Sequence, residues 1–278
     1  MNGVIIVNKH EGVTSRDIVN DLIHIFHTKK IGHTGTLDPI ATGVLVITIG
    51  TYTKLGDDLT SLYKEYIAEA ELGYETDTLD NTGNITNKSN IKVSEEEIKN
   101  IILSYQKKYD QEVPLYSSIK INGKKLYEYA RCNEVVKLPK REVDIKEIEV
   151  LSINNNKIKF RCLVSKGTYI RSLIRDIGSS LNTYATMTSL IRTKQGKFSL
   201  EEASTINDIR SNNYHLLKIE DLLDVEIINC DYDLYHKVNN GVKLSKEYDK
   251  EYVLFKYNNE DICLYKKDEE YFRMYLKF

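Results

Sequence analysis

The chain has 278 residues, 41% hydrophobic and 29% charged, with 39 Lys and Arg against 41 Asp and Glu for a net charge of −2. This is ordinary for a soluble globular protein with room for one large domain and a small one, and no run approaches the ~20 apolar residues that a membrane-spanning helix needs. The charge is uneven: residues 120–200 hold 17 Lys and Arg and seven Asp and Glu, a net of +10 inside an otherwise acidic chain, which marks a local site for a polyanion rather than a globally basic protein.

In chain order, Val4-Ile5-Ile6-Val7 reads as a short buried strand, too brief for the apolar core of a secretory signal. Thr14 or Ser15 then caps a helix with Ile18, Val19, Leu22, Ile23 and Phe26 on one stripe. Its two histidines, His24 and His27, have no third ligand nearby and read as a polar face. Residues 32–43 run G-H-T-G-T-L-D-P-I-A-T-G, with one carboxylate, Asp38, and lead straight into Val44-Leu45-Val46-Ile47, a buried strand. The loop lacks the lysine of a phosphate-binding loop and precedes its strand. A lone acid in a tight loop is a candidate nucleophile or electrostatic stabiliser; an Asp that merely caps its own turn is the alternative.

Tyr66, Ala68, Ala70 and Leu72 alternate with polar residues, as in a half-buried strand. Residues 76–90, rich in Thr, Asn, Asp and Gly, are expected to be a mobile loop. Ser94 opens a helix with a Glu-rich first turn. Residues 120–141 are basic and tyrosine-bearing, residues 145–164 read as a hairpin around three asparagines, and residues 169–181 as a helix. From residue 227 the pattern turns to short strands, so the expected units are 1–226 and a small β-rich 227–278. Strands and helices interleave irregularly, which favours α+β. The four cysteines lie far apart without a C-x-x-C pair, pointing to reduced thiols, a cytoplasmic setting and no zinc site.

Several segments together carry a family resemblance. Residues 7–15 (V-N-K-H-E-G-V-T-S), the Asp38 loop, Lys64-Glu65-Tyr66, residues 111–120 (Q-E-V-P-L-Y-S-S-I-K), residues 123–131, residues 167–173 (G-T-Y-I-R-S-L) and residues 190–193 (L-I-R-T) resemble, in order, the motifs of the TruB family of pseudouridine synthases. The departures are His10 and Val113 where the family has Pro, and Ile191 where it has Arg. The resemblance implies a mixed, mainly antiparallel sheet with flanking helices, a PUA-like C-terminal domain, and isomerisation of the T-loop uridine at tRNA position 55. No metal, nucleotide or redox cofactor is implied, and a monomer is expected.

The resemblance also implies roles. Asp38 would act at the sugar carbon, Arg171 would pair with it and orient it, and Tyr66 would stack on the base and serve in proton removal. Tyr169 and Leu190 would line the base pocket, and His33 would pack into the space left by the flipped base. Lys9, Lys120, Lys124, Lys125, Arg131, Lys140 and Arg141 are expected substrate-binding residues, the basic segment among them holding phosphates. Two rivals differ in class. For a tRNA chaperone with secondary or lost catalysis, the intact Asp38, Tyr66 and Arg171 argue against lost catalysis but not against an added chaperone role; a carbohydrate enzyme is disfavoured by the +10 segment and the lack of a second placed carboxylate.

Overall fold

The computed structural model describes residues 1–245 and 248–278. Its elements are β1 (Gly3–Lys9), α1 (Ser15–Phe26), β2 (Ile31–His33), β3 (Thr42–Ile49), α2 (Gly56–Ser61), β4 (Lys64–Leu72), β5 (Tyr74–Thr76), β6 (Ile85–Lys88), α3 (Glu95–Ser104), β7 (Lys108–Glu112), β8 (Lys120–Ile121), β9 (Lys124–Lys125), α4 (Leu126–Arg131), β10 (Lys140–Asn154), β11 (Lys157–Val164), α5 (Ile170–Ser180) and β12 (Ala185–Gln195). After these come β13 (Phe198–Ser199), α6 (Ile206–Arg210), α7 (Ile219–Leu222), β14 (Val225–Asn229), α8 (Tyr232–Asn239), β15 (Leu244–Ser245), β16 (Tyr252–Tyr257), β17 (Glu260–Asp268) and β18 (Tyr271–Lys277).

The large sheet runs β1-β3-β12-β4-β11-β10-β7, with β2 and β13 attached at its side. Its pairs are antiparallel except β3 with β12, so it is mixed and mainly antiparallel, as expected. The uninterrupted apolar runs of β1 and β3 are explained by burial on both faces. Ile5, Val7, Leu45 and Ile47 pack with Ile18, Val19 and Leu22 of α1 and Leu173, Ile174 and Ile177 of α5. Val4, Ile6, Val44 and Val46 turn the other way, onto Tyr52, Leu254, Leu264 and Leu276.

The last three of those partners introduce the second sheet, β14-β16-β17-β18-β15. It lies between the back of the large sheet and α8, whose Val238 packs with Phe255, Tyr265 and Phe272. Its first strand straddles the expected boundary at residues 226 and 227.

Local chemistry sets the element ends. Thr14 caps α1 in a full capping box with Asp17, and the Ser94 hydroxyl accepts from the Glu97 amide at 3.2 Å to start α3. Residues 145–164 form the expected hairpin, turning at Asn155 with φ 55°. The expectation of a mobile loop over residues 76–90 is corrected. That stretch is a folded hairpin of β5 and β6 whose turn is tied internally, the Asp80 carboxylate accepting from the hydroxyls of Thr78 and Thr82. Its many short polar side chains serve these bonds.

Candidate active site

The sheet, the loop before β3 and the start of α5 enclose a cleft of about 620 Å³. Asp38, Tyr66, Tyr169, Arg171 and Leu190 all line it, although they come from residues as far apart as 38 and 190. The Asp38 loop is fastened at both ends. Ser15 receives the Leu37 amide at 2.8 Å and gives its hydroxyl to the Leu37 carbonyl at 3.2 Å. The Gly12 amide donates to the Pro39 carbonyl at 2.9 Å, and the Ala41 amide to the Asp38 carbonyl at 3.0 Å. The motif of residues 7–15 and the Asp38 loop are therefore one structural unit: the first is the bracket that fixes the second. At the exit Gly43 has φ 102°, and a Cβ there would overlap the Arg192 carbonyl, so only glycine lets β3 approach β12 this closely.

Arg171, in the first turn of α5, meets Asp38 with a two-pronged contact, Nε to Oδ2 at 2.8 Å and Nη2 to Oδ1 at 3.1 Å. Two further N–H groups go to the Thr78 carbonyl at 2.9 Å and the Tyr116 carbonyl at 3.0 Å. The arginine side chain is 5% exposed and the aspartate 33%. The cation is thus locked by protein while the carboxylate keeps a face to the cleft, the arrangement that holds an acid in one orientation. The folded β5–β6 hairpin takes part by supplying Thr78.

The start of α5 is itself held from β7: buried Gln111 accepts from the Tyr169 amide at 2.8 Å and donates to the Tyr109 hydroxyl at 2.7 Å. Burial pushes the Tyr169 phenol up from its ordinary pKa, with Arg141 nearby opposing. His33, half-buried beside the loop, accepts from the Gly35 amide at 3.4 Å. Burial, and then the charges of Arg192 and Arg16, push its pKa down, which favours the neutral ring.

The basic residues divide. Lys120, Lys140 and Arg141 are exposed. Lys125 lies over the Tyr127 ring at 5.3 Å, and Arg131, also over that ring at 5.3 Å, reaches the cleft wall. Lys124 is tied to Glu134 at 2.6 Å and sits over Tyr129. The expectation that Lys9 touches substrate is corrected: it is fully buried beneath the loop, donating to the carbonyls of His10 at 2.9 Å and Pro39 at 3.3 Å. Burial pushes its pKa down to about 8, with Asp38 pulling the other way. Sequence reasoning passed over two further cations in the floor, Lys64 and Arg192. Both stand in recognised motifs, and the signal that could have found them is that Lys64 lies two residues from Tyr66 on β4 and Arg192 two from Leu190 on β12, each on the face of a predicted pocket residue.

The fold recurs in solved structures. In a Cbf5-Nop10-Gar1 complex the matching chain superposes with a TM-score of 0.70 at 24% identity, covering 99% of this chain and 84% of that one. A chain of an H/ACA RNP bound to a substrate RNA containing 2′-deoxyuridine gives 0.69 at 22% identity, with the same coverage. This is the architecture of pseudouridine synthases, and its large sheet carries the Asp–Arg cleft.

Residues 24–170 match the model of the TruB family pseudouridylate synthase N-terminal domain, and residues 171–232 that of the tRNA pseudouridylate synthase B C-terminal domain. A tRNA pseudouridine synthase B of Fusobacterium nucleatum is 47% identical over 201 residues, covering 72% of this chain and 70% of its own length. One from Staphylococcus saprophyticus is 40% identical over 279 residues, covering 95% and 90%. The chain belongs to the TruB family of pseudouridylate synthases, which are isomerases.

Proposed function

We propose that this enzyme converts the T-loop uridine at position 55 of tRNA to pseudouridine, using Asp38 at the sugar, Arg171 to hold it and Tyr66 at the base. The observation that carries the reading is the two-pronged Asp38–Arg171 contact in a cleft that Tyr66, Tyr169 and Leu190 also line. The name of these relatives, tRNA pseudouridine synthase B, supplies the substrate class.

A uridine in a folded loop must be flipped out to enter such a cleft. The C1′–N1 bond then opens with its electron pair on the base, and the Asp38 carboxylate meets the positive charge at C1′. The base turns and C5 bonds to C1′. The C5 proton leaves, with Tyr66 assisting in this reading, and N1 takes one up. His33 packs where the base had been. Lys120, Lys124, Lys125, Arg131, Lys140 and Arg141 line up as backbone contacts, which orient RNA without reading sequence. In this reading residues 1–226 carry the chemistry and residues 227–278 grip RNA away from it.

The direct test is incubation with an unmodified tRNA transcript and chemical mapping of pseudouridine. Asp38→Asn keeps the size of the side chain and its hydrogen-bonding capacity, so it should abolish product while tRNA binding stays within a few-fold of wild type. Product at a near wild-type rate would remove Asp38 from the chemistry, and joint loss of binding and product would make it a structural residue.

A further inference from the structure

Lys64 and Tyr66 stand two apart on β4, so they face the same side of the sheet. Across the ladder Arg192 pairs with Tyr66, and Leu190 pairs with Ala68. One patch of the cleft floor therefore holds an aromatic and an aliphatic side chain flanked by two cations. Arg192 is fully buried. It donates from Nε to the Val44 carbonyl at 2.6 Å, from Nη2 to the Gly35 carbonyl at 3.1 Å and from Nη1 toward the Tyr66 hydroxyl at 3.5 Å. Lys64 donates to the carbonyls of Thr60 and Leu62, both at 2.8 Å, at the end of α2.

Among the described residues neither cation forms an ion pair with a carboxylate. Burying charge without a counter-charge is costly, and carbonyl dipoles offset only part of it. The excess positive field lies under the place where Tyr66 and Leu190 would hold a base.

We propose that Lys64, backed by Arg192, stabilises the negative charge on uracil when the C1′–N1 bond opens. This rests on the reading of the cleft as the base pocket. The departing base keeps the bonding pair as an anion spread over N1 and its two carbonyl oxygens, while Asp38 meets the positive charge left at C1′. Two of the three N–H bonds of Lys64 are spent on α2, leaving one for a base oxygen. Arg192 does not reach the base; it is a positioning residue, acting through Tyr66 and through its field. When C5 bonds to C1′ the anion is consumed, and loss of the C5 proton with uptake of one at N1 completes the isomerisation. Preorganised charge of this kind, aimed where charge develops, lowers a barrier without reorganisation.

The chemistry gives a pH signature. Burial, and then the charges of Arg192 on β12 and Lys166 before α5, push the Lys64 pKa down to about 8. Asp38 and Arg171 line the same cleft. As pH rises through that value Lys64 loses its charge, so glycosidic cleavage should slow.

The test is rapid-quench measurement of glycosidic cleavage at saturating tRNA transcript. Lys64→Met should slow cleavage on the order of 100-fold, the scale for losing one charge-stabilising donor, with the Kd for tRNA unchanged. The loss should shrink on a transcript carrying 5-fluorouridine at the target, because fluorine itself stabilises the base anion. Lys64→Arg should retain activity and lose the alkaline limb near pH 8. An equal loss on both transcripts, or no loss, overturns the proposal. Should Lys64→Met fail to fold, Lys64→Gln takes its place in the comparison of the two transcripts, where an equal loss on both, or no loss, again overturns the proposal. Cleavage by Asp38→Asn would instead bring down the pocket reading, whereas an inactive Asp38→Asn beside a fully active Lys64→Met brings down this proposal alone.

Discussion

The three guanidinium nitrogens of Arg171 make four bonds to three partners: two prongs on Asp38, one to Thr78 in the turn of the β5–β6 hairpin, and one to Tyr116 in the bend after β7. Lysine would keep the charge and lose the planar fork. Arg171→Lys is expected to lower the single-turnover rate at saturating tRNA by about 100-fold, the scale for misplacing a reacting group by about 1 Å, while the melting temperature falls by only a few degrees. An unchanged rate would mean that orientation of Asp38 does not limit the reaction. Asp38 and Arg171 were legible because each stands in a distinctive string. Lys9, Lys64 and Arg192 were misread or passed over for a common reason: a basic residue in a sequence reads as exposed, and only three-dimensional packing shows that carbonyl oxygens have replaced its water.

At the scale of elements, α5 is the part that sets Arg171 against Asp38, and one glycine fixes its height above the sheet. A Cβ on Gly178 would lie 2.7 Å from the Ala185 amide nitrogen and 2.8 Å from the Ala185 side chain. The helix would have to lift at that end, and Arg171, two turns away, would tilt with it. Gly178→Ala should therefore cost roughly 1–3 kcal/mol of stability, as overpacking does, and lower turnover as well. Denaturant unfolding and single-turnover rates on the same preparation check it; no change in either would mean that α5 is not pinned at β12. Helix and strand identities were readable from periodicity, as β4 and α1 show. The 76–90 hairpin was not, because its order comes from side-chain-to-backbone bonds and from Arg171 contacting Thr78, neither of which leaves a periodic trace.

Over the whole molecule, the +10 segment and the cleft form one continuous region, since Arg131 and Lys166 reach the cleft wall. Lys125 and Lys140 have no carboxylate partner among the described residues, whereas Lys124 is engaged by Glu134. Neutralising Lys125 and Lys140 together should flatten the slope of log K against log salt by about 0.7–0.9 per lost phosphate contact, with Lys124→Ala adding less. The single-turnover rate at saturating RNA should hold. Filter binding across a salt series measures this, and a wild-type slope would place the segment off the RNA. The sequence's charge map marked the basic segment that continues into the cleft wall. It did not show that the C-terminal sheet shares a core with β1 and β3, because that contact depends on which face of an all-apolar strand meets which partner.

The position of β12 has a consequence for how the chain assembles. It inserts between β3 and β4, which are neighbours in sequence but not in the sheet. During synthesis both strands are made more than a hundred residues before the strand that joins them, and until then each presents an open edge. Such distant pairing slows folding and prolongs the exposure of unpaired edges. The same event brings in Leu190 and Arg192 and closes the floor of the cleft, so a nascent chain ending before residue 185 holds Asp38, Tyr66 and Arg171 yet lacks the Leu190 side of the floor on which a base would rest.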